Sequence, residues 1–233
     1  MRLFPAIDLI ALACFVGAWI GYAIAVEWSE RGRGTLNAHM NRYREVWMRR
    51  MLHRETRMVD MQIMASLQTG TAFFASTSLI AIGGALTLLR STEEILSLAA
   101  VLPFGIETGR GLWEAKTIGL VVIFAYAFFK FAWSYRLYAY VAILLGAMPF
   151  PADKDKPEAE AHVVRTARLF DSAGRHFNRG QRAFFFALGY LGWFIGPVVL
   201  ILSTALVMAT MWRRQFTSDA FHALTHGSAG PPT

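Results

Sequence analysis

Four long apolar segments constrain the fold of this chain more than any other feature of its sequence. They cover residues 5–26, 69–89, 113–140 and 183–212. A helix needs about 20 residues to cross the hydrocarbon core of a bilayer, and each segment is long enough. Only 17% of all residues are charged, against roughly 25% in soluble domains. The sequence therefore predicts an all-α membrane protein with about four transmembrane helices.

The third apolar segment is unusually long, because its apolar character persists from Trp113 to Ala147. A helix of that length would extend for about 52 Å, well beyond the ~30 Å hydrocarbon core. Two separate spans would need a tight turn, yet no glycine or proline lies between Gly119 and Gly146. One overlong third helix that leaves the membrane is the better prediction.

The fourth apolar segment contains Pro197 directly after Gly196. Proline lacks a backbone N–H and clashes with the preceding turn, so it kinks a helix that continues through it. We therefore expect one kinked membrane helix over residues 183–212.

Basic residues are concentrated in two of the connections. Residues 27–68 and 148–182 together contain fifteen lysines and arginines, whereas the other connections and the two ends contain five. Loops rich in lysine and arginine stay on the cytoplasmic side of a membrane. The distribution predicts a protein of the cell (inner) membrane with both basic loops cytoplasmic and both the N- and C-termini outside.

The two basic loops are themselves predicted to contain amphipathic helices. Within residues 27–68, apolar side chains recur at three- and four-residue steps opposite an arginine-rich face: Leu36, Met40, Tyr43, Trp47 and Met51. Residues 158–182 show a similar pattern. Such helices lie in the headgroup plane or pack on a neighbouring subunit. We assign residues 1–220 to one helical membrane domain and residues 221–233 to a flexible tail.

Several classes of function lack their usual sequence signatures here. The single cysteine, Cys14, excludes an internal disulfide framework and a four-cysteine metal site. Because no P-loop, dinucleotide fingerprint or H-E-x-x-H motif is present, we expect no enzymatic activity, no cofactor and no metal. The net charge of +7 comes without a nucleic-acid-binding motif, so we expect no nucleic acid partner.

Four of the charged residues in the apolar segments are candidates for a structural or functional role. Asp8 and Lys116 lie near the outer ends of the first and third segments, where a mutual ion pair would offset the cost of burial; an ion-entry or proton site is the alternative. Lys130 lies about 25 Å along the third helix from Trp113, where a lysine reaches the inner headgroups. Lys130 is thus an interfacial anchor or, alternatively, a pore-lining charge or a central relay group. Arg136 lies at or beyond the headgroups.

The second apolar segment is rich in small and hydroxylated side chains. The residues that carry this character at helical spacing are Thr69, Ala72, Ser76, Thr77, Gly83 and Gly84. Small residues allow membrane helices to approach closely, and hydroxyl groups can line a permeation path. The pattern predicts either close packing within the bundle or an oligomer, or a hydroxyl-lined path that neighbouring subunits would close.

The arginines of the two loops form the most prominent basic group. They are Arg42, Arg44, Arg49, Arg50, Arg54, Arg57, Arg175, Arg179 and Arg182. One interpretation is a cytoplasmic surface that binds anionic lipid headgroups. The other is a network with the carboxylates of Glu45, Glu55, Asp60 and Asp171 that shapes a vestibule or docks another protein.

Several blocks of the chain resemble a known family. They are "LNAHMNRYREVWMRRMLHRETRMVD", "FFASTSLIAIGGAL", "LWEAKTIGLVVIFAYAFFKFAWSYR" and "AGRHFNRGQRAFFFALGYLGWF". In these blocks the chain is similar to the domain-of-unknown-function family DUF599, which comprises bacterial and plant integral membrane proteins. The resemblance covers about residues 5–220 and implies an integral membrane protein with about four helices. It implies no activity, substrate or catalytic residue.

Two functional hypotheses follow. The first is a non-enzymatic, homo-oligomeric membrane protein that forms a small channel or permeation route along its second helix. The second is an accessory or scaffold subunit whose basic cytoplasmic helices bind anionic lipid or a larger membrane complex. The oligomeric state and the presence of a path through the oligomer distinguish the two.

Overall fold

The computed structural model describes residues 5–30, 34–101 and 109–225, and within these ranges every regular element is helical. The helices are α1 (Ala6–Glu30), α2 (Leu36–Met51), α3 (Met58–Arg90), α4 (Thr92–Val101), α5 (Arg110–Gly146), α6 (Pro157–Tyr190), α7 (Gly192–Ile195), α8 (Pro197–Phe216) and α9 (Asp219–Thr225), with a 3₁₀ turn at Pro151–Asp153. The stretches that are long and apolar enough to cross a membrane are Ala6–Trp28, Met58–Arg90, Arg110–Gly146 and Pro197–Leu224. The predicted all-α membrane class is confirmed.

The third apolar segment forms a single helix, as its lack of turn residues predicts. Helix α5 has 37 residues, about 55 Å at 1.5 Å per residue, so the overlong third helix is confirmed. Helix α3 is also longer than the apolar segment that predicts it. It begins at Met58, so the last part of the predicted loop over 27–68 is helical.

A short helix, α4, lies in the connection between α3 and α5, where the sequence pattern predicts only a loop. Its first turn carries Glu93 and Glu94, whose charges favour a helix N-terminus. Arg110, at the start of α5, binds Glu93 at 2.5 Å and Glu114 at 2.8 Å. The exposed pair with Glu93 links α4 to the first turn of α5, whereas the pair with Glu114 lies within α5.

The chain folds into two compact units, each built from three separate segments. Unit 1 comprises Met1–Val26, Ser76–Phe128 and Gly180–Trp212, and unit 2 comprises Glu27–Ala75, Phe129–Arg179 and Arg213–Thr233. Each unit has an apolar core of its own. The long helices α3, α5 and α6 contribute residues to both units, and the prediction of a single domain over 1–220 stays a prediction.

Aromatic rings of α1 and of the end of α6 form the centre of unit 1. The fully buried ring of Phe15 lies edge-on to Phe186 at 5.8 Å and to Tyr190 at 5.3 Å. Trp19, one turn further along α1, stacks on Phe186 at 5.5 Å. Such aromatic pairs add to the stabilisation that burial itself provides. The order of these contacts shows that α1 and the end of α6 run antiparallel.

The fourth apolar segment is a helical hairpin rather than one kinked helix. The hydroxyl of Ser203 on α8 donates to the carbonyl of Gly189 on α6 at 2.6 Å. A Cβ atom added at Gly192 would lie 2.9 Å from the carbonyl oxygen of Val199. A continuous helix would separate residues 189 and 203 by about 21 Å, so α8 folds back along α6. The prediction of one membrane helix over 183–212 is wrong, and we call the antiparallel pair of residues 183–190 and α8 the terminal hairpin.

The reversal occurs between α7 and α8. Gly196 is extended, with φ 169° and ψ 163°, and Pro197 then opens α8 at a position where a helix needs no N–H. Gly189 and Gly192 lie on the side of α6 and α7 that faces α8, where the absence of a Cβ atom lets the two helices approach. The glycines and the proline together favour a reversal where the sequence predicts only a kink.

The hairpin determines at which end of unit 1 helix α8 leaves the unit. At one end of the unit, Asp8 on α1 contacts Trp193 on α7. At the other end, Tyr22 on α1 lies 6.3 Å from Trp212 on α8. Helices α1 and α8 thus run in the same direction, and their first and last residues lie at opposite ends of the unit. The hairpin adds one reversal of the chain within unit 1, and the predicted placement of both termini outside stays a prediction.

Helices α2, α5 and α6 supply the core of unit 2. The side chains of Met48 and Met51 are fully buried, and the ring of Trp47 lies 5.5 Å from Phe170 on α6. Ser134 on α5 is also buried and donates to the carbonyl of Ala173 at 2.8 Å. The α2 helix therefore packs into unit 2 over its second half.

The buried face of α2 differs from the predicted one. Met40 and Tyr43, which belong to the predicted apolar row, are exposed. The start of the helix is fixed instead by Thr35, whose hydroxyl accepts from the Ala38 N–H at 3.1 Å, after Gly34 with φ 54°. Such an N-cap stabilises a helix by about 1 kcal/mol.

Helix α9 packs against α2 within unit 2. The ring of Phe221 lies edge-on to His39 at 6.0 Å. Residues 221–225, which the sequence assigns to a flexible tail, are therefore helical, and 226–233 lie outside the described residues. Helix α9 thus lies beside α2 within unit 2, and the predicted location of the C-terminus outside stays a prediction.

Candidate functional site

A buried pair of opposite charges lies at one end of unit 1. Asp8, in the first turn of α1, is 4% exposed, and Lys116, in the second turn of α5, is 2% exposed. Lys116 Nζ and Asp8 Oδ1 are 3.8 Å apart. A charge in apolar surroundings needs a partner to be tolerated, and ionisable groups within membrane segments commonly mark functional sites. The structure thus brings together the two charges that the sequence suggests as a pair.

Trp193, on the four-residue helix α7, completes this site. Its indole Nε1–H donates to Asp8 Oδ1 at 2.6 Å. Its backbone carbonyl accepts a hydrogen bond from Lys116 Nζ at 2.8 Å, and its ring centroid lies 5.4 Å from the same nitrogen. One residue therefore binds the carboxylate through its side chain and the ammonium through both its backbone and its ring.

The Trp193 carbonyl is free to accept because of Pro197. In a helix, the carbonyl of residue 193 would bond the N–H of residue 197, and proline has none. Helix α7 also ends at Ile195, before the extended Gly196. The spacing of four residues between Trp193 and Pro197 is visible in the sequence, and it is the signal by which Trp193 could have been found.

The outer face of α3 holds most of the small and hydroxylated residues selected from the sequence. Thr69, Ser76, Gly83 and Gly84 are exposed, whereas Ala72 and Thr77 are half-buried. None of the exposed residues packs into either core. The part of the chain that the structure describes thus leaves this face uncovered.

Two threonines of that face bond their own helix. Thr69 donates to the Ala65 carbonyl at 2.9 Å and Thr87 to the Gly83 carbonyl at 3.0 Å. In each case the hydroxyl group bonds the carbonyl four residues earlier in its own helix, so its donor is satisfied. The hydroxyl group of Ser76 makes no hydrogen bond to any part of the chain that the structure describes. The face therefore combines small and hydroxylated residues with the exposed side chains of Phe73 and Ile80, and some of its hydroxyl groups are already hydrogen-bonded.

Lys130 and Arg136 belong to unit 2. Arg136 is exposed, donates from Nε to the hydroxyl of Tyr140 at 2.9 Å, and lies 5.1 Å from that ring. Lys130 is half-buried on the stretch of α5 that packs against α6. The prediction that Lys130 anchors the helix at an interface stays a prediction.

His176 on α6 lies among cations of unit 2. Its ring is 6.4 Å from Trp133. Burial of the ring lowers the pKa of the His176 imidazole below its usual value, and Lys130, Arg179 and Arg175 lower it further. The imidazole is therefore kept neutral near pH 7, because a proton there would add a charge to a positive surrounding.

Most arginines of the predicted basic surface are paired within unit 2. Arg49 binds Glu45 and Glu160, Arg54 binds Asp60, Arg179 binds both carboxylate oxygens of Glu27, and Arg175 binds Asp171. Arg57 donates to the carbonyls of Met148 and Pro149 at 2.7 and 2.5 Å, and Arg44 lies 5.2 Å from the Phe170 ring. These contacts support the network interpretation for Asp60, Asp171 and Glu45.

Three arginines differ from that pattern. Arg42 and Arg50 are exposed and make no ion pair or hydrogen bond with the described residues. Arg182 is only 6% exposed and belongs to unit 1, so its assignment to the basic surface is wrong. Arg182 is not on the exposed surface because it lies on the buried side of α6.

Asp60 is the most buried carboxylate of the arginine network. Its side chain is 1% exposed and accepts from Trp47 Nε1 at 2.5 Å and from Arg54 at 2.6 Å. Asp60 lies in the first turn of α3, where the helix dipole also favours a negative charge. Asp60 therefore ties α2 and its following loop to the start of α3.

The chain was compared with known families and proteins. Residues 10–220 match the model of the family described as "Protein of unknown function, DUF599". No curated protein and no solved structure is significantly similar to the chain. Because the match covers most of the sequence, the chain belongs to the DUF599 family.

Proposed function

We propose that the protein is a non-enzymatic membrane protein whose copies associate along α3 and form a route for small polar solutes. One observation carries the proposal: a row of small, hydroxylated and amide side chains, interrupted by Phe73 and Ile80, runs along the outer face of α3, and the described part of the chain leaves it uncovered. A membrane helix whose face is not apolar gains from contact with another protein surface rather than with lipid.

Helix α3 also exposes large apolar side chains, among them Leu79 and Leu86, but the described residues of the other membrane helices of unit 1 include no comparable row of exposed hydroxyl groups. On α1 the large exposed side chains include Ile7, Ile10, Ile20 and Ile24, and on α8 they include Val198, Leu202 and Leu206. These branched apolar side chains suit contact with lipid tails. The contrast supports α3 as the helix that meets a second copy.

The spacing of the exposed residues on α3 fits helix–helix contact. Steps of four and three residues alternate along the helix, which keeps one face toward a partner over many turns. The exposed residues on this stripe are Gln62, Ser66, Thr69, Phe73, Ser76, Ile80, Gly83 and Thr87. Four of the eight have a hydroxyl group and one an amide, so a seam lined by them can offer hydrogen bonds to a passing solute.

Cysteine cross-linking tests the association. In a Cys14→Ser background, Ser76→Cys and Leu202→Cys place one thiol each on the outer faces of α3 and α8. We expect disulfide-linked dimers from the α3 variant in native membranes and few from the α8 variant, which serves as the matched control. Equal cross-linking at both positions would contradict a contact along α3.

Flux measurements test the route. Purified protein in liposomes should pass K⁺ or a small uncharged solute such as glycerol, and Ser76→Leu should reduce the flux by closing the seam. A stable oligomer that passes neither solute under any gradient would refute the route while leaving the association intact.

An accessory role in binding anionic lipid is the second candidate, and a specific observation favours it. Arg42 and Arg50 on α2, and Arg165 and Arg168 on α6, are exposed and have no partner in the part of the chain that the structure describes. Clusters of unpaired arginines beside a membrane attract anionic headgroups. Changing all four to glutamine should abolish preferential retention of phosphatidylglycerol over phosphatidylcholine, measured by native mass spectrometry; unchanged retention would remove this candidate.

The proposal includes a revised topology in the cell (inner) membrane. With the terminal hairpin, Arg213 and Arg214 join the side of the two basic loops, which then has seventeen lysines and arginines against three. The rule that basic loops stay inside supports an outside N-terminus and a cytoplasmic C-terminus. In a Cys14→Ser background and intact cells, an impermeant thiol reagent should label Ala6→Cys but not Thr217→Cys; labelling of both would overturn this topology.

A further inference from the structure

We propose that the break between α7 and α8 is a binding site for a primary ammonium ion, which the chain fills with its own Lys116. The Asp8 carboxylate, the Trp193 carbonyl and the face of the Trp193 ring form the site. Nothing in the proposed solute route uses these residues, so the inference stands independently of it.

The site exists because of the local backbone, and not because of Lys116. Pro197 leaves the Trp193 carbonyl without an intrahelical donor, and Gly196 is extended rather than helical. The indole N–H of Trp193 holds Asp8 Oδ1 at 2.6 Å, which fixes the carboxylate beside that carbonyl. The carboxylate oxygen of Asp8 and the carbonyl oxygen of Trp193 are thus positioned next to each other without any contribution from Lys116.

The three groups surround one nitrogen atom. Lys116 Nζ lies 2.8 Å from the carbonyl oxygen, 3.8 Å from Asp8 Oδ1 and 5.4 Å from the centroid of the Trp193 ring. A carbonyl provides a hydrogen-bond acceptor, a carboxylate provides the opposite charge, and an indole face attracts cations. Each contact is of a kind that a cation binding site uses.

The contact set selects a primary ammonium over other cations. Two oxygens are far fewer than the six to eight that calcium takes, so a metal ion would stay underliganded. A guanidinium is planar and needs a matching fork of acceptors, which one carbonyl does not give. An ammonium is compact, carries three donors and interacts well with an aromatic face.

Chemical rescue tests the site. Lys116→Ala keeps Cβ and removes the three further carbons and the nitrogen, which is the shape of n-propylammonium. We expect this variant to lower the midpoint of thermal unfolding in detergent by on the order of 10 °C, because it leaves Asp8 buried without its cation. Added n-propylammonium should restore at least a third of the loss with a saturable dependence on concentration.

Controls separate binding from simpler effects. Tetramethylammonium has the charge without an N–H donor, sodium chloride matches the ionic strength, and 1-propanol has the same shape without a charge. None of the three should restore stability to the extent that n-propylammonium does. An equal effect of any of them would overturn the proposal.

Two further variants keep the proposal falsifiable. Asp8→Asn combined with Lys116→Ala removes both charges, and n-propylammonium should have little effect on it; equal rescue would show that Asp8 is not part of the site. Lys116→Met fills the space of the missing stem, and it should be insensitive to the amine. If Lys116→Ala alone does not give folded protein, it should be purified in n-propylammonium and, separately, in tetramethylammonium. We expect a monodisperse peak in size-exclusion chromatography with n-propylammonium only. Absence of that peak with either ion would refute the site.

Discussion

Gly192 begins α7, beside the terminal hairpin, and an added methyl group there should destabilise the packing of α8 most strongly. A Cβ atom there would lie 2.5 Å from the Ser203 hydroxyl oxygen and 2.9 Å from the Val199 carbonyl oxygen. The hydroxyl oxygen ends a short side chain, but the carbonyl belongs to the backbone of α8. Helix α8 would have to move away from α7 to accept the methyl group.

The cost of that movement follows from packing. Inserting a methyl group into a close-packed site costs about 1–3 kcal/mol, and for a chain of this size each kcal/mol lowers the unfolding midpoint by about 2–4 °C. We therefore expect Gly192→Ala to lower the midpoint by about 2–12 °C, measured by intrinsic tryptophan fluorescence in detergent. Ser203→Ala in the same chain should recover only part of the loss, because the Val199 carbonyl remains in place.

Gly189 supplies the matched control. A Cβ atom at Gly189 would meet Val207 at 3.4 Å and the Ser203 carbonyl oxygen at 3.5 Å, which is ordinary van der Waals contact. Gly189→Ala should therefore change the midpoint little. If Gly189→Ala and Gly192→Ala lower it equally, or if neither does, the close approach of α8 to α7 is refuted, and with it the antiparallel hairpin.

Three further substitutions test contacts described above. Gly119→Ala would place a Cβ atom 2.0 Å from the hydroxyl oxygen of the buried Tyr190, so we expect a loss of about 1–3 kcal/mol by thermal unfolding and a partial recovery with Tyr190→Phe; no recovery would contradict the contact. Trp47→Phe removes a donor from the buried Asp60 carboxylate and should cost about 1–3 kcal/mol in denaturant unfolding, whereas a neutral result would show that this bond contributes nothing. Because the pKa of His176 is lowered in the folded chain, the unfolded chain binds a proton first, and stability should fall as the pH drops through about 6.5; His176→Gln should reduce that dependence, and an unchanged pH profile would exclude His176 as its source.

The membrane class and the long helix α5 could be predicted because each depends on a simple physical limit. The thickness of the bilayer sets the minimum length of a membrane-spanning helix. A segment without glycine or proline lacks the residues that favour a tight turn. No tertiary contact is needed to decide either. The same reasoning extends to Asp8 and Lys116, since two opposite charges in apolar surroundings gain by pairing.

The terminal hairpin could not be predicted, because Gly196 and Pro197 permit two outcomes. A proline after a glycine fits a kink in one helix and also a reversal between two helices. The choice depends on whether α8 finds a surface on α6, and that surface is made by Gly189, Gly192 and Ser203. Their fit to each other is a property of two packed helices and not of one.

The buried face of α2 was predicted incorrectly for a related reason. Its apolar residues occupy more of the helix than one face can bury, so several rows fit the helical period. The structure buries Met48 and Met51 and exposes Met40 and Tyr43. The Arg44 guanidinium, which a hydropathy pattern places on the polar side, instead lies over the Phe170 ring. Arginine covers apolar surface in this way because its stem and its planar head both pack well.

The bond between the Trp193 indole and Asp8 has a consequence for biosynthesis. It joins residues that are 185 positions apart in the chain, and the bond between Lys116 and the Trp193 carbonyl joins residues 77 apart. A ribosome releases α1 and α5 long before α7, so the carboxylate and the ammonium enter the membrane without the residue that links them. The cluster of Asp8, Lys116 and Trp193 can therefore be completed only after more than four fifths of the chain has been synthesised.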